Sequence, residues 1–576
     1  MMNSIYTRLM SAAIMLGIFV ACEPKVEPDT PVKPKPNPGT GTGSGSTPTD
    51  PYADLSIYQP LKNYVDREAY PSFILGVAID GDQKLYDLAG ANFDEMTPGN
   101  AMKYGSVVRS DGSMNFSGVN TFLNMAQARG LSVYGHTLAW HSQQQPSYLN
   151  SLIQDTYVEL PEATGETVIV QADFNEGNNP FIAWGNSSSM TVSDGALKLT
   201  NPSTMQSWEV QFAYDSPQAF VKGQEYRLAF RIKGSADGTL GAGLQIIDGY
   251  KSAGEFQNVQ FGTEWKNVEL TCTCSTAGGT RLVFSYGTFA GDIYIDDFKF
   301  STIGAKHQII PMPAEQKKEV LTAEMDRWIS AMMEVTATKV SAWDVVNEAI
   351  AGADYDRDGY YDLQTAAHGE ANCFYWQDYL GSVDYVRIVV AQARKYYEQF
   401  GGIEPLKLFI NDYNLESDWD DNKKLRSLIH WIQKWEADGV TRIDGIGTQM
   451  HISYYENPTT QAKKKEHVVK MLQLMAQTGK LVKISELDMG YVNNAGTTLK
   501  TSQLTDRQHR AMADYYEFIV SKYLEIVPPA QQYGITQWCP QDSPDNSFWR
   551  AGEPVGLWDA NYNRKYTYAG FVNGLL

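Results

Sequence analysis

What most constrains this chain is a set of largely apolar, β-rich runs that stop abruptly at a polar residue. Phe73-Ile74-Leu75-Gly76-Val77-Ala78-Ile79 is one, and Ser341-Ala342-Trp343-Asp344-Val345-Val346-Asn347-Glu348 and Leu481-Val482-Lys483-Ile484-Ser485-Glu486-Leu487-Asp488 are two more. A strand with one wet face alternates apolar and polar side chains, so a continuous run demands cover on both faces. Parallel strands sheathed by helices meet that demand. The polar residue closing each run then stands at the C-terminal rim of its strand, where α/β folds keep their chemistry.

The rhythm is interrupted once. From about Thr167 to Thr302 the runs become short and alternating with Gly, Asn and Ser turns, as in Thr167-Val168-Ile169-Val170, Ala196-Leu197-Lys198-Leu199, Glu225-Tyr226-Arg227-Leu228-Ala229-Phe230-Arg231-Ile232 and Asp292-Ile293-Tyr294-Ile295-Asp296-Asp297-Phe298. That spacing predicts an antiparallel β-sandwich. Helical periodicity returns at Met312-Pro313-Ala314-Glu315 and runs to about Met333. The chain, at 576 residues, exceeds what one core supports, which agrees with an inserted second domain. Predicted segments are 1–21, 22–51, a first part of the parallel α/β unit at 52–160, the sandwich at 166–303 and a second part of that unit at 305–576.

At the N-terminus Arg8 precedes an apolar stretch, Leu9 to Ala21, too short to span a membrane and suited to a signal peptide. Phe19-Val20-Ala21-Cys22 resembles a lipoprotein cleavage site, which implies acylation of Cys22. Residues 23 to 50 are Pro-rich, then Gly/Ser/Thr-rich, and read as a flexible tether. The expected location is a cell surface, the outer membrane of a Gram-negative bacterium, with secretion as the alternative. Forty-seven basic against 67 acidic residues give a net charge of −20. That excess opposes nucleic acid and anionic membrane as partners, so membrane contact is expected only through the anchor, and the chain is expected to be a monomer. Cys272, Cys274, Cys373 and Cys539 follow no metal-ligand pattern and are expected as free thiols.

Glutamates at two strand rims equip a site for double displacement at a sugar acetal: one protonates the leaving oxygen and the other attacks the anomeric carbon. Either alone is as well explained as a solvated or salt-bridged strand end. Three motifs in order, Trp343 to Glu348, Ile443-Asp444-Gly445-Ile446-Gly447-Thr448-Gln449-Met450-His451, and Ile484 to Asp488, resemble those of family 10 glycoside hydrolases, the xylanases. The resemblance implies a (β/α)8 TIM barrel interrupted by the sandwich. It also implies a retaining endo-β-1,4-xylanase acting on xylan and xylo-oligosaccharides without a cofactor, with Glu348 as general acid/base and Glu486 as nucleophile. Retention asks for carboxyl groups about 5 to 5.5 Å apart. A mixed-linkage β-glucanase and a non-catalytic surface glycan-binding protein are the alternatives.

The same resemblance supplies further site residues. Asn100 and Lys103 lie in Thr97-Pro98-Gly99-Asn100-Ala101-Met102-Lys103-Tyr104, where the family has a glutamate at Gly99 and a tryptophan at Tyr104. They would hold the −2 sugar, with a gripping carboxylate lost at Gly99. His136 and Trp140 would line the −1 subsite with Gln143 nearby, and Leu138 should share their strand face. Tyr413 would reach the aglycone side and Asn347 the 2-hydroxyl. Gln449 and His451 share a face; His451 would bond Glu486 and be held by Asp488. Trp538 and Trp549 would stack on the −1 and −2 sugars, and Cys539 stands where the family has glycine. His136 and His141 are spaced wrongly for zinc, so no metal is expected. Asp354, Asp356 and Asp358 begin like a calcium loop, but Thr365 occupies its twelfth position, so a solvated acidic loop is expected. The insert resembles carbohydrate-binding modules of the family 4, 9 and 22 type, with Trp184, Trp208 and Tyr250 as candidate platforms.

Overall fold

The computed structural model describes residues 52, 54–81, 83–159, 165–175, 177–304 and 307–576. The expected signal peptide, tether and Cys22 lie outside the described residues. Eight parallel strands form the larger unit: β1 (Ile74–Ile79), β2 (Glu95–Pro98), β3 (Ser132–Ala139), β4 (Ala342–Asn347), β5 (Lys407–Tyr413), β6 (Gly445–Gln449), β7 (Leu481–Val492) and β8 (Gln532–Gln537). Each pairs with its neighbour in sequence order; β8 pairs with β1, and β6 with β7, so the sheet closes. The result is a (β/α)8 barrel. Following the strands come the helices Gln83–Asn92, Ser117–Gln127, Ala314–Thr336, Asp384–Gln399, Lys423–Glu436, Pro458–Gln477, Asp506–Ile526 and Tyr566–Leu575.

Local sequence explains these helices. In Lys423–Glu436 the residues Leu425, Leu428, Ile432 and Trp435 recur at helical spacing and are all buried. Thr505 and Gln508 form a capping box at the start of Asp506–Ile526. Pro458 opens its helix while the Asn457 side chain accepts from the Thr460 N–H. Strand packing is tight enough to require glycine: a Cβ at Gly135 on β3 would sit 2.1 Å from the ring of Trp343, its register partner on β4.

The barrel interior has an ionic floor. Lys483 on β7 pairs with Glu95 on β2 at 2.8 Å, with side chains only 1% and 3% exposed, and the Tyr533 hydroxyl donates to the second Glu95 oxygen at 2.7 Å. Tyr134, Ala342, Phe409 and Tyr533 pack together beside it. The polar Lys483 within an apolar run is thus an inward-facing charge with a partner across the barrel.

Between β3 and its helix the chain passes through the short helix Pro146–Leu152, then leaves and re-enters on an antiparallel ribbon, Thr156–Glu159 against His307–Ile310. The intervening residues fold as two antiparallel sheets. One orders its strands as Lys266–Thr273, Glu225–Gly234, Gly291–Ile303, Ala196–Asn201 and Ser189–Ser193; the other as Lys251–Glu255, Gly238–Ile246, Arg281–Ser285, Gln211–Asp215 and Ile182–Trp184. Phe212 and Phe284 stack at 4.4 Å inside, in a core built from the alternate residues of each strand. The four strands expected from sequence are all present.

Candidate active site

Glu348 follows directly on β4, in a left-handed backbone conformation with φ +53°. A non-glycine residue there carries strain, held here by the Glu348 N–H donating to the Asn411 carbonyl of β5 at 2.7 Å. Its carboxylate accepts from Trp140 Nε1 at 3.1 Å, Gln449 Nε2 at 3.2 Å and Asn347 Nδ2 at 3.3 Å. Burial raises its pKa, and the negative charges of Asp412 and Glu486 push the same way. Glu348 is therefore a carboxyl group biased toward holding a proton.

Glu486, on β7, has the opposite bias. Burial alone would raise its pKa, but the His451 hydrogen bond and the charges of His136, His451 and Lys103 outweigh burial, and the value is lowered. Its oxygens accept from Asn411 Nδ2 at 2.9 Å and lie 3.1 Å from His451 Nε2. The other imidazole nitrogen of His451 is 3.0 Å from Asp488. Burial would lower the His451 pKa, yet Asp488 and Glu486 carry it up to about 10. Asp488 is fully buried and fixed by Trp549 Nε1 at 2.8 Å and Arg550 Nη1 at 2.7 Å. A cationic imidazole thus sits between two carboxylates, one locked and one facing the cleft.

Two asparagines join the carboxylates. Asn411 Nδ2 donates to both Glu486 Oε1 and Asn347 Oδ1, each at 2.9 Å, while Ser485 Oγ donates to Asn411 Oδ1 at 2.6 Å. Asn347 is 1% exposed and Gln449 4% exposed, so both act first as struts of the acid. Asn411, Arg550 and Asp344 join the site beyond the residues expected from sequence. The signal for Asn411 was present: Asn411-Asp412 ends an apolar strand just as Asn347-Glu348 does.

On the β3 side, His136 Nδ1 is 2.9 Å from Asp344, which also accepts from the Tyr134 hydroxyl at 2.6 Å. His136, Asp344 and Glu486 each bring a donor atom within 4.8 Å of the others. Asp344 spends both oxygens on protein partners, so the group is organised as a hydrogen-bond network. The expected strand face holds only in part. The register slips between the pairs Asp344–His136 and Val346–Ala139, and Leu138 joins the apolar layer under the helices while His136 and Trp140 reach the site. The bulge breaks the period-two alternation on which that expectation rested.

Lys103 is 7% exposed, donates to Gln143 Oε1 at 2.7 Å and lies 4.9 Å above the Trp140 ring. Gln143 Nε2 donates to Asn100 Oδ1 at 3.1 Å. Asn100 and Lys103, expected at −2, thus form one continuous wall with Trp140 and Gln143, expected at and near −1. Tyr104 faces away from it: its hydroxyl donates to Glu324 at 2.6 Å in the layer under the helices. Trp538 stands between His136 and His451, with ring centroids 5.7 and 5.9 Å away, and Trp549 lies 4.5 Å from His451. Trp549 therefore also orients the His451–Asp488 pair. Tyr413 packs under Lys424, whose Nζ is 3.2 Å above its ring. Cys539 places Sγ 3.9 Å from Asp488, and burial pushes its thiol up. Cys272, Cys274, Cys373 and Cys539 are all free.

The acidic loop differs from its expected pattern. Asp354, Asp356 and Asp362 converge, whereas the Asp358 carboxylate turns back to accept the Tyr360 N–H at 2.9 Å. Asp354 is already neutralised by Lys423 at 2.8 Å.

The family model described as Glycosyl hydrolase family 10 matches residues 65–166 and 306–574. The chain belongs to that family. A second model, described as Carbohydrate binding domain, matches residues 166–287 within the break. Endo-1,4-beta-xylanase A of Cellvibrio japonicus (strain Ueda107) is 27% identical over 277 residues, which is 46% of this chain and 42% of that protein. Endo-1,4-beta-xylanase 2 of Aureobasidium pullulans is 25% identical over 374 residues, 62% of this chain and 91% of that protein. The chain spans less than half the length of several curated relatives it matches. Among solved structures, xylanase B from Clostridium stercorarium F9 superposes with a TM-score of 0.51 at 16% identity, covering 90% of this chain and 100% of that one. That likeness concerns the barrel fold.

In the sandwich, a groove of about 410 Å³ lies on one sheet, lined by polar residues including Gln211, Gln245, Glu255 and Asn258, with Tyr250 at its edge. Tyr250 is 74% exposed and Trp208, next to the lining residue Ser207, is 63% exposed. Trp184 instead packs beneath Arg281, 5.2 Å from its ring.

Proposed function

We propose that this chain is an endo-β-1,4-xylanase that retains anomeric configuration, with Glu348 as general acid/base and Glu486 as nucleophile. The observation that carries the reading is the opposite bias of the two carboxyl groups: one held toward its acid, the other held ionised by His451. Glu486 attacks the anomeric carbon while Glu348 gives its proton to the leaving oxygen. Once Glu486 is esterified its negative charge is gone, the pKa of Glu348 falls, and Glu348 takes a proton from the incoming water. Asn347, with one amide hydrogen committed to Glu348, offers the other to the 2-hydroxyl. Trp538 and Trp549 give the sugars apolar faces, and Tyr413 lies toward the aglycone.

Azide separates the two roles. Glu486→Ala should lose turnover by at least about four orders of magnitude and, with azide and an activated aryl β-xylobioside, yield an α-xylobiosyl azide. Glu348→Ala should instead yield the β-azide through the glycosyl-enzyme. Exchanged or absent azide products, or wild-type activity in either variant, would reject the assignment. Xylan is favoured over mixed-linkage glucan by the names of the relatives, and reducing-sugar release from both polymers tests that choice.

The sandwich groove supports a glycan-binding role for the insert, which would raise local polymer concentration near the cleft. We further propose that residues 1–21 are a signal peptide, that 22–51 are a tether, and that acylated Cys22 holds a monomeric enzyme on an outer membrane. Labelled palmitate should enter the wild type and not Cys22→Ser; equal labelling, or none in either, would remove the anchor.

A further inference from the structure

At the end of β1 stands a carboxylate that the mechanism above does not use. A Cβ built on Gly99 would lie 2.3 Å from Asp80 Oδ2 and 3.0 Å from its Cγ, so Asp80 fills the space into which a side chain at 99 would grow. Glycine at 99 and aspartate at 80 are thus coupled: a side chain at 99 would have to displace the Asp80 carboxylate from the position it holds. Asn100 Nδ2 donates to Asp80 Oδ2 at 2.6 Å, and the backbone N–H groups of Gly99 and Asn100 reach the same carboxylate. Three donors leave acceptor capacity on a group with about four lone-pair sites. Asp80 is exposed, unlike Asn347 and Gln449.

Its place in the cleft follows from an unbroken polar row. Glu348 accepts from Trp140 at 3.1 Å; Lys103 lies 4.9 Å over Trp140 and donates to Gln143 at 2.7 Å; Gln143 donates to Asn100 at 3.1 Å, and Asn100 to Asp80 at 2.6 Å. Asp80 ends a wall that starts at the proton donor, with the side chains of Trp140, Lys103, Gln143 and Asn100 between them.

We propose that Asp80 is a substrate-binding residue whose carboxylate accepts hydroxyl hydrogen bonds from the second glycone sugar, in place of the side chain Gly99 lacks. This rests on the xylanase reading of Asn100 and Lys103. The charge is set back by one strand end, on β1 instead of on the loop after β2.

The test compares 4-nitrophenyl β-xylobioside, which fills that position, with 4-nitrophenyl β-xyloside, which does not. Asp80→Ala should lower kcat/KM on the xylobioside about tenfold and change the xyloside less than twofold. Asp80→Asn keeps an acceptor for Asn100 while removing the charge, and should show a smaller loss confined to the xylobioside. Gly99→Glu alone should be impaired by collision with Asp80, and Asp80→Gly with Gly99→Glu should recover most of the wild-type preference for the longer substrate. Equal losses on both substrates would reduce Asp80 to a prop for Asn100 and overturn the proposal, as would no loss on either. A wild type that cleaves neither compound would defeat the xylanase reading itself, and this proposal with it.

Discussion

The barrel mouth and the sandwich groove both present polar side chains and aromatic rings to a sugar-sized space, yet they are built on different physics. At the barrel mouth the polar groups are buried and tied to one another: Glu486 is 4% exposed, Asp488 fully buried, and His451 is bonded on both ring nitrogens. At the groove, Tyr250 on its edge and Trp208 beside the lining residue Ser207 stand in solvent, and the lining is mostly uncharged amides and hydroxyls. Burial is what lets neighbouring charges move pKa values apart, and opposed pKa values are what acid/base chemistry uses. An open groove has no such leverage and can only bind. Under the proposed function, this contrast separates holding from cutting within one chain.

The sharpest way to break the contrast is to weaken the field at the mouth without touching substrate. Asp488→Asn leaves the His451 ring a partner but removes the charge that keeps it cationic, and kcat should fall about 10³-fold. A decrease below tenfold would mean that His451 is a mere spacer. Next in size is the ionic floor. Lys483→Met strands the buried Glu95 carboxylate and should cost about 3–5 kcal/mol of stability in urea unfolding, with kcat at 25 °C little altered in the folded fraction; an unchanged midpoint would show the pair to be dispensable.

Proton linkage gives an intermediate effect. Glu486 must be ionised and its pKa is lowered, so kcat/KM should fall on the acid side only as pH drops below the usual carboxylate value. Glu348 must be protonated and its pKa is raised, so the alkaline limb should lie above that value. His451, raised to about 10, adds stability fully present below its unfolded value near 6.5 and lost progressively up to about pH 10. A monotonic pH profile, or melting temperatures flat from pH 6 to 10, would contradict the charge assignments. The smallest effect belongs to the groove: Tyr250→Ala with Trp208→Ala should weaken adsorption to insoluble xylan by about 1–2 kcal/mol while kcat on a soluble aryl xylobioside stays within twofold. If catalysis fell with binding, the two regions would not be separable.

How far the site could be read in advance depended on where a residue sits in its strand. Glu348, Glu486, His451 and Asp488 were legible because each ends or interrupts an apolar run, and an ionisable group at a buried strand's rim has few other uses. Asn411, Asp344 and Arg550 were not, since each acts through a partner on a different strand or loop. Leu138 was misjudged because one bulge beside His136 resets the alternation. Nothing near Gly99 in the sequence signals that the Asp80 carboxylate, from another strand end, occupies the space beside it.

The amino-acid order alone determined that there would be buried parallel strands, a break filled by alternating strands, and two acids at strand rims, because hydrophobic periodicity and turn chemistry are properties of neighbouring residues. Only the closed sheet decided which of those acids has its pKa raised and which has it lowered. That outcome depends on Asn411, Asp412, His451 and Lys103 converging from separate strands and loops, and electrostatic effects of this size arise only over a few ångströms in a place that excludes water.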